Sequence, residues 1–170
     1  MWPLHKRCIE RWREFNPDWN VRVLSDATIS EYAPEYFDIL KEARHEKERH
    51  AHNADLLRLL LLKKYGGVWA DATVYPMEPL SDFIPKVLND TGFFTYRFIP
   101  RSLGGRGDRE TVVWFLVAED KDHYLINAWF KRFKDSFINL DNFVYFQMAK
   151  DLCYLYDSDV KVKSIIDGMV

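Results

Sequence analysis

The segment from His50 to Tyr75, HAHNADLLRLLLLKKYGGVWADATVY, decides the fold. Its first half, Ala51–Leu62, is apolar enough to predict a helix that is buried nearly all round. Gly66 and Gly67 follow, and glycine just past a helix is the usual left-handed cap. The apolar residues 68–70 then predict a short buried strand. A helix, a tight turn and a strand therefore follow one another in this segment.

Three charged side chains of this segment bear on function. Asp55 and Arg58 are three positions apart, so on a helix they share one face. Asp71 comes directly after the predicted strand, at the carboxyl end where open α/β sheets bind ligands. Burying unpaired charges is costly, so the two helical residues must pair or meet a ligand. We therefore expect all three side chains to meet in one cleft.

These residue types suit a sugar nucleotide. Carboxylates accept hydrogen bonds from sugar and ribose hydroxyls, and they hold a divalent cation that neutralises a diphosphate leaving group. The rigid fork of an arginine holds hydroxyls or phosphate oxygens. A structural alternative fits the spacing equally well: Asp55 and Arg58 form a helix ion pair, and Asp71 caps a turn.

The rest of the chain predicts further helices and strands. The periodicity favours helices at 4–15, 35–64 (with a break near His52 or Asn53), 124–133 and 143–156, strands at 21–24, 93–98 and 112–118, and a loop at 100–109. Strands separated by helical patterns predict an α/β fold with a mainly parallel sheet. We expect the aromatic side chains of Phe143, Tyr145 and Phe146 to lie in the core rather than to form a platform for a sugar.

Composition limits the classes of protein. The 170 residues suit one domain, and 48% hydrophobic residues are enough for a packed core. A net charge of −2 with no basic stripe argues against nucleic acid as a partner. Cys8 and Cys153 form no CxxC pair and are expected to be buried free thiols. No apolar run reaches the length of about 20 residues that spans a membrane, and no signal peptide is visible, so we expect a cytoplasmic protein, with at most peripheral membrane association.

The central segment resembles a known family. The run A-D-L-L-R at 54–58, followed by L-L-x-x-Y-G-G-V-W-x-D-A-T-V at 61–74, is similar to the core motif of the capsular polysaccharide synthesis protein family. That family is glycosyltransferase family 32-like and related to the fungal α-1,6-mannosyltransferases. Further landmarks that fit the family lie upstream, at Pro3, Cys8, Asn16-Pro17-Asp18, Val21, Val23, Leu24 and Glu31-Tyr32. The resemblance covers most of the chain.

The resemblance implies a retaining glycosyltransferase of the GT-A type, with a nucleotide-sugar donor and a glycan or polysaccharide acceptor. By position, Asp55 and Arg58 would bind the donor sugar, and Asp71 would be the first aspartate of a D-x-D element that contacts ribose and Mn²⁺ or Mg²⁺. These three are the predicted catalytic residues. Thr73 replaces the second aspartate, so metal binding would depend on Asp71 and a ligand not evident from the motif.

The predicted substrate-binding set adds Gly66, Gly67, Thr73 and His52 to the three charged residues; His52 lies three positions before Asp55 and could line the cleft. The family begins with a strand of the I-W-x-x-W kind that would precede Pro3, and it continues past the last helix. We therefore expect residues 1–170 to be a single GT-A-like domain that is truncated at its first strand and lacks C-terminal parts of the family domain. Thr73 and that truncation leave an alternative open: a catalytically weak or inactive module that binds a sugar nucleotide or a protein partner without turnover.

Overall fold

The computed structural model describes residues 2–43, 50–97, 111–139 and 144–169. The elements in these ranges are, in chain order, α1 (Pro3–Phe15), α2 (Ile29–Tyr32), α3 (Glu35–Glu42), α4 (His50–Tyr65), β1 (Gly67–Ala70), α5 (Leu80–Val87), β2 (Phe93–Arg97), β3 (Thr111–Ala118), α6 (Tyr124–Asn139), α7 (Gln147–Ser158) and α8 (Val160–Gly168). No helix in this part of the chain has the length and apolar character needed to cross a bilayer.

The three strands form one sheet in the order β1-β3-β2. β1 pairs antiparallel with β3, from Gly67 opposite Ala118 to Ala70 opposite Phe115. β2 pairs antiparallel with the other edge of β3, beginning with Phe93 opposite Ala118. Since both outer strands run opposite to β3, they run in the same direction as each other, and α5 lies between them along the chain.

The α/β class is confirmed, but the predicted mainly parallel, GT-A-like sheet is not found among the described strands. The two outer strands do run in the same direction, with α5 between them along the chain, but α5 was not predicted and the parallel sheet was inferred from other helical segments. β3 lies between those two strands and pairs antiparallel with both. The predicted strand at 21–24 is also wrong, because this stretch pairs with no strand; its residues line a cavity instead.

Helix α4 lies at the centre of the main core. Its buried side chains are distributed all round the helix, as predicted: His52, Asp55, Leu56, Leu57, Arg58, Leu59, Leu60 and Leu62. The helix predicted over 35–64 is two helices: α3 ends at Glu42, and α4 is continuous through His52 and Asn53, where the break was predicted. The predicted helix 4–15 is α1, and the 124–133 prediction is extended to Asn139 in α6. α7 begins at Gln147, and α2, α5 and α8 were not predicted.

The sheet separates two apolar clusters. Phe93, Leu116 and Ala118 face the main core with α4 and α6, whereas Phe94 and Phe115 face a smaller cluster with α5. This alternation follows from the period of two along a strand. Cys8 is buried and Cys153 partly buried, and neither forms a disulfide. The predicted loop at 100–109 and Phe143 lie outside the described residues.

A β-bulge interrupts the pairing of β2 with β3. Thr95 pairs with Leu116, but the next pair joins Arg97 to Thr111, so Tyr96 alone lies opposite four residues of β3, 112–115. The buried Thr95 hydroxyl lies 2.7 Å from the carbonyl oxygen of Val112 and 3.1 Å from that of Phe115. The carbonyl groups of Val113 and Trp114 lie between these two contacts, and the bulge leaves them unpaired with β2. Both carbonyl groups accept hydrogen bonds in the site described below.

Candidate functional site

Asp55 and Arg58 form an ion pair on the inner face of α4. Asp55 Oδ1 lies 3.2 Å from Arg58 Nη1, at the spacing expected for residues one helical turn apart. Both residues are buried, with 8% of Asp55 and 4% of Arg58 exposed. A buried guanidinium needs several acceptors to offset its lost hydration, and the neighbouring strands provide them.

Arg58 links the helix to the central strand β3 and to the residue that follows β1. Its Nη1 donates a 2.7 Å hydrogen bond to the carbonyl oxygen of Val113 in the β3 bulge. Its Nη2 lies 3.3 Å from Asp71 Oδ1 at the end of β1. The guanidinium carbon also lies 5.5 Å from the ring centre of Trp69, a cation–π arrangement. The structure therefore brings Asp55, Arg58 and Asp71 together, as the sequence predicted.

Asp71 is the solvent-facing member of this cluster. Its side chain is 35% exposed, and the Trp69 indole donates a 2.7 Å hydrogen bond to the same oxygen, Oδ1, that meets Arg58. The Asp71 backbone N–H donates to the carbonyl oxygen of Trp114, 2.9 Å away. The carboxylate is thus held in a fixed orientation by its own backbone, by an indole and by a guanidinium.

The two carboxylates of the cluster differ in environment. Burial, reinforced by the charge of Asp71 and opposed by Arg58, raises the pKa of Asp55 to about 6. Asp55 therefore changes charge just below neutral pH. Above that pH, two carboxylates share one guanidinium, and the cluster carries an excess negative charge.

The turn between α4 and β1 brings Asp71 back towards the helix. Gly66 and Gly67 both have positive φ, 67° and 81°, and the Gly66 N–H donates to the carbonyl oxygen of Leu62 at 2.8 Å. A Cβ added at Gly66 would lie 2.8 Å from the backbone carbonyl carbon of Asp120, so no side chain fits there. At Gly67 nothing lies within 4 Å of such a Cβ.

The cluster opens into a cavity of about 1750 Å³ between α1, residues 19–24, α4, the sheet and α7. The predicted site residues that line it are Asp55, Arg58, Gly66, Gly67, Asp71 and Thr73. Thr73 is exposed in the turn after β1. His52 is buried and does not line the cavity: its ring meets the edge of the Tyr145 ring at 5.9 Å, behind the cavity wall.

Two aromatic residues that the sequence placed in the core lie elsewhere. Tyr145 and Phe146 are 66% and 58% exposed and line the cavity just before α7. The predicted helix was begun at Phe143, which assigned these residues to a helix face. In the structure they precede the first turn of α7, so helical periodicity does not apply to them, and no sequence signal marked them as cavity residues.

The ligand set for a metal ion is incomplete. In the part of the chain that the structure describes, no three His, Cys, Asp or Glu side chains come together. Asp71 supplies one accessible carboxylate, but its Oδ1 already meets Arg58, whose positive charge opposes a cation at the same oxygen. The described residues therefore do not fit Mn²⁺ or Mg²⁺ by themselves, and the metal expected from the resemblance stays a prediction.

The fold and site define an α/β domain with a large cavity and a buried carboxylate–guanidinium cluster at its wall. The profile of the capsular polysaccharide synthesis protein family matches residues 3–168, so the chain belongs to this family. A curated relative, the O-glycosyltransferase braB of Annulohypoxylon truncatum, is 27% identical over 155 residues. The match covers 83% of this chain and 36% of that protein, so the chain spans about a third of the relative's length.

Proposed function

We propose that this domain transfers a sugar from a nucleotide-sugar donor to a glycan or polysaccharide acceptor, with retention of anomeric configuration. The observation that carries the proposal is the Asp55–Arg58–Asp71 cluster at the wall of the cavity. The family and the glycosyltransferase relative support the same class of enzyme.

The cluster has the chemistry of a sugar-binding site. Carboxylate oxygens accept hydrogen bonds from sugar hydroxyls, and a guanidinium donates to them in fixed directions. In the proposed reaction the acceptor oxygen forms a bond to the anomeric carbon as the bond to the diphosphate oxygen breaks, and the acceptor's proton leaves with the diphosphate. Positive charge develops on the sugar ring, and the ionised carboxylates of Asp55 and Asp71 stabilise it.

The fixed geometry of Asp71 supports this role. The carboxylate is held by Trp69, Arg58 and its own backbone, so it does not reorganise when charge develops. A preorganised charge of this kind is usually the largest single contribution to catalysis.

A second candidate is a module that binds a sugar nucleotide or a protein partner without turnover. Thr73 favours it, because it replaces the second carboxylate of the D-x-D element and leaves Asp71 without an acidic neighbour in the turn. A protein of this kind would bind its ligand in the same cavity but would not catalyse sugar transfer.

A transfer and hydrolysis assay separates the two candidates. The chain is incubated with radiolabelled UDP-glucose, UDP-galactose or GDP-mannose, with and without Mn²⁺, and released sugar and glycan product are counted. We expect turnover of one donor, and a loss of at least about 100-fold in the Asp71→Asn variant, because the amide keeps the shape and removes the charge. Binding without turnover would favour the second candidate. Turnover by Asp71→Asn at the parental rate would show that Asp71 does not belong to the active site.

A further inference from the structure

Trp114 and Tyr96 form an exposed stacked pair of aromatic rings on the sheet. Their ring centres are 5.2 Å apart and their planes differ by 21°. The two residues are 40% and 39% exposed, although each is large and apolar. The pair presents a flat apolar face on which the ring of a ligand can pack.

The β3 bulge is what turns Trp114 outwards. By strand alternation Trp114 would follow Leu116 into the main core, on the opposite face from Tyr96. The extra residues of the bulge turn its indole to the Tyr96 side of the sheet instead. β-bulges recur beside binding and catalytic sites, where they redirect a side chain. The same bulge presents the Val113 carbonyl to Arg58, so one irregularity shapes both features.

Trp114 lies directly beside the proposed donor-sugar site. Its carbonyl oxygen accepts the Asp71 N–H at 2.9 Å, so the two residues are neighbours on adjacent strands. Trp114 lines the same cavity as Asp71, whereas Tyr96 does not. Trp114 is therefore part of the wall of this cavity, and its indole stacks on the phenol ring of Tyr96.

A pyranose ring is the group that suits this surface. One face of such a ring presents C–H bonds with partial positive charge, which the negative face of an indole attracts, while its hydroxyls remain free for polar neighbours. The carboxylate of the neighbouring Asp71, which is 35% exposed, is an acceptor for such hydroxyls. An exposed indole beside the site thus suits a sugar that arrives from solution.

We propose that Trp114, backed by Tyr96, is the platform that binds the acceptor's sugar ring next to the donor sugar. This inference rests on the proposed transferase function and adds the position of the acceptor. Trp114 is then a specificity-determining residue, because a ring without an unhindered C–H face does not lie flat on it.

Fluorine NMR of the chain labelled with 5-fluorotryptophan tests the contact directly. The chain has six tryptophans, and the Trp114→Phe variant identifies the Trp114 resonance. The probes are methyl α-glucoside, methyl α-galactoside and methyl α-mannoside, and, separately, uridine and guanosine. We expect a glycoside to shift the Trp114 signal and to leave Trp2, which is 77% exposed and outside the cavity, unchanged. A shift with the nucleosides alone would make the indole a base platform and overturn the proposal.

Kinetics with the glycoside that shifts the signal provide the second readout. Trp114→Leu keeps an apolar side chain without an aromatic face and should raise the acceptor KM about tenfold, since stacking on one ring is worth roughly that factor. Trp114→Phe should retain most of the affinity, and Trp2→Leu should equal the parent. An unchanged acceptor KM in Trp114→Leu, or no glycoside-induced shift while nucleotide sugars still bind, contradicts the platform. If the chain binds no nucleotide sugar, the proposed donor site is contradicted instead. The glycoside-induced shift of the Trp114 signal then tests by itself whether Trp114 binds a sugar ring.

Discussion

At the scale of single residues, Arg58 holds the candidate site together. It contacts Asp55 on its own helix, Asp71 after β1 and the Val113 carbonyl in β3. Removing it leaves two carboxylates close together without a counter-charge, one of them buried. Breaking a buried ion pair in this way usually costs about 3–5 kcal/mol, much more than losing a surface pair.

We expect Arg58→Ala to weaken binding of a nucleotide sugar more than binding of the corresponding nucleoside diphosphate, because the contact is to the sugar. Isothermal titration with both ligands measures the difference. Arg132→Ala is the matched control: Arg132 pairs with the buried Asp151 at 3.2 Å outside the cavity, so it should lower stability without affecting either ligand. Equal losses of affinity for both ligands would indicate that Arg58 contacts the diphosphate and not the sugar. A loss of stability with unchanged binding of both ligands would show that Arg58 only forms a structural ion pair with Asp55.

Asp55 gives a pH dependence whose sign is defined. Its folded-state pKa, raised to about 6 mainly by burial, means that the folded chain holds this proton more tightly than the unfolded chain. The resulting stabilisation is present at low pH and is lost as pH rises through about 6. Relative to Asp55→Asn, the parental free energy of unfolding should fall by about 2–3 kcal/mol between a pH of about 4 and about 7.

Urea unfolding of both proteins across that pH range makes the comparison, and taking their difference cancels other titrating groups such as Asp151. A difference that does not vary with pH would show that Asp55 titrates normally.

Sequence spacing predicted the residue-scale contacts only where they are local or follow a known rule. Asp55 and Arg58 share a helix face by their separation of three, and Asp71 follows a strand. The contacts to Val113 and Trp114 depend on a bulge for which the sequence TVVWFLVA carries no distinctive signal, and so they were not predictable.

At the scale of elements, the α4–β1 turn determines where Asp71 lies relative to Arg58. Its glycines were predicted as a helix cap, and both have the positive φ that a cap requires. The antiparallel sheet was not predicted, because the helical pattern at 35–64 suggested parallel strands on either side of it, whereas residues 21–24 form no strand. The register of β3 depends on such long-range pairing.

The two glycines should respond differently to alanine. Gly67→Ala should cost about 1 kcal/mol, the usual penalty of a left-handed alanine, because its Cβ meets open space. Gly66→Ala should cost at least about 2 kcal/mol more, because its Cβ would lie 2.8 Å from the Asp120 backbone. Urea unfolding curves of both variants measure these free-energy costs. Similar costs for the two variants would mean that the Asp120 backbone lies farther from Gly66 than the structure shows.

At the scale of the whole molecule, the proposed function depends on a cavity with one charged wall and several aromatic side chains. Asp55, Arg58 and Asp71 lie at one wall, while Trp114, Tyr145 and Phe146 contribute aromatic surface. Sequence analysis found the charged wall, since charges in an apolar segment stand out. It missed the aromatic surface, since aromatic residues are usual in cores and only their exposure in the folded chain distinguishes these three.

The central claim is that the charged cluster binds the sugar of a nucleotide sugar. Isothermal titration of UDP-glucose, UDP-galactose and GDP-mannose beside bare UDP and GDP, with the parental chain and Asp71→Asn, tests it most directly. The account predicts that one sugar-bearing ligand binds about tenfold or more tightly than its bare nucleotide, and that Asp71→Asn abolishes this difference. A parental chain that binds the bare nucleotide as tightly as every nucleotide sugar, or a variant that keeps the full difference, would contradict it.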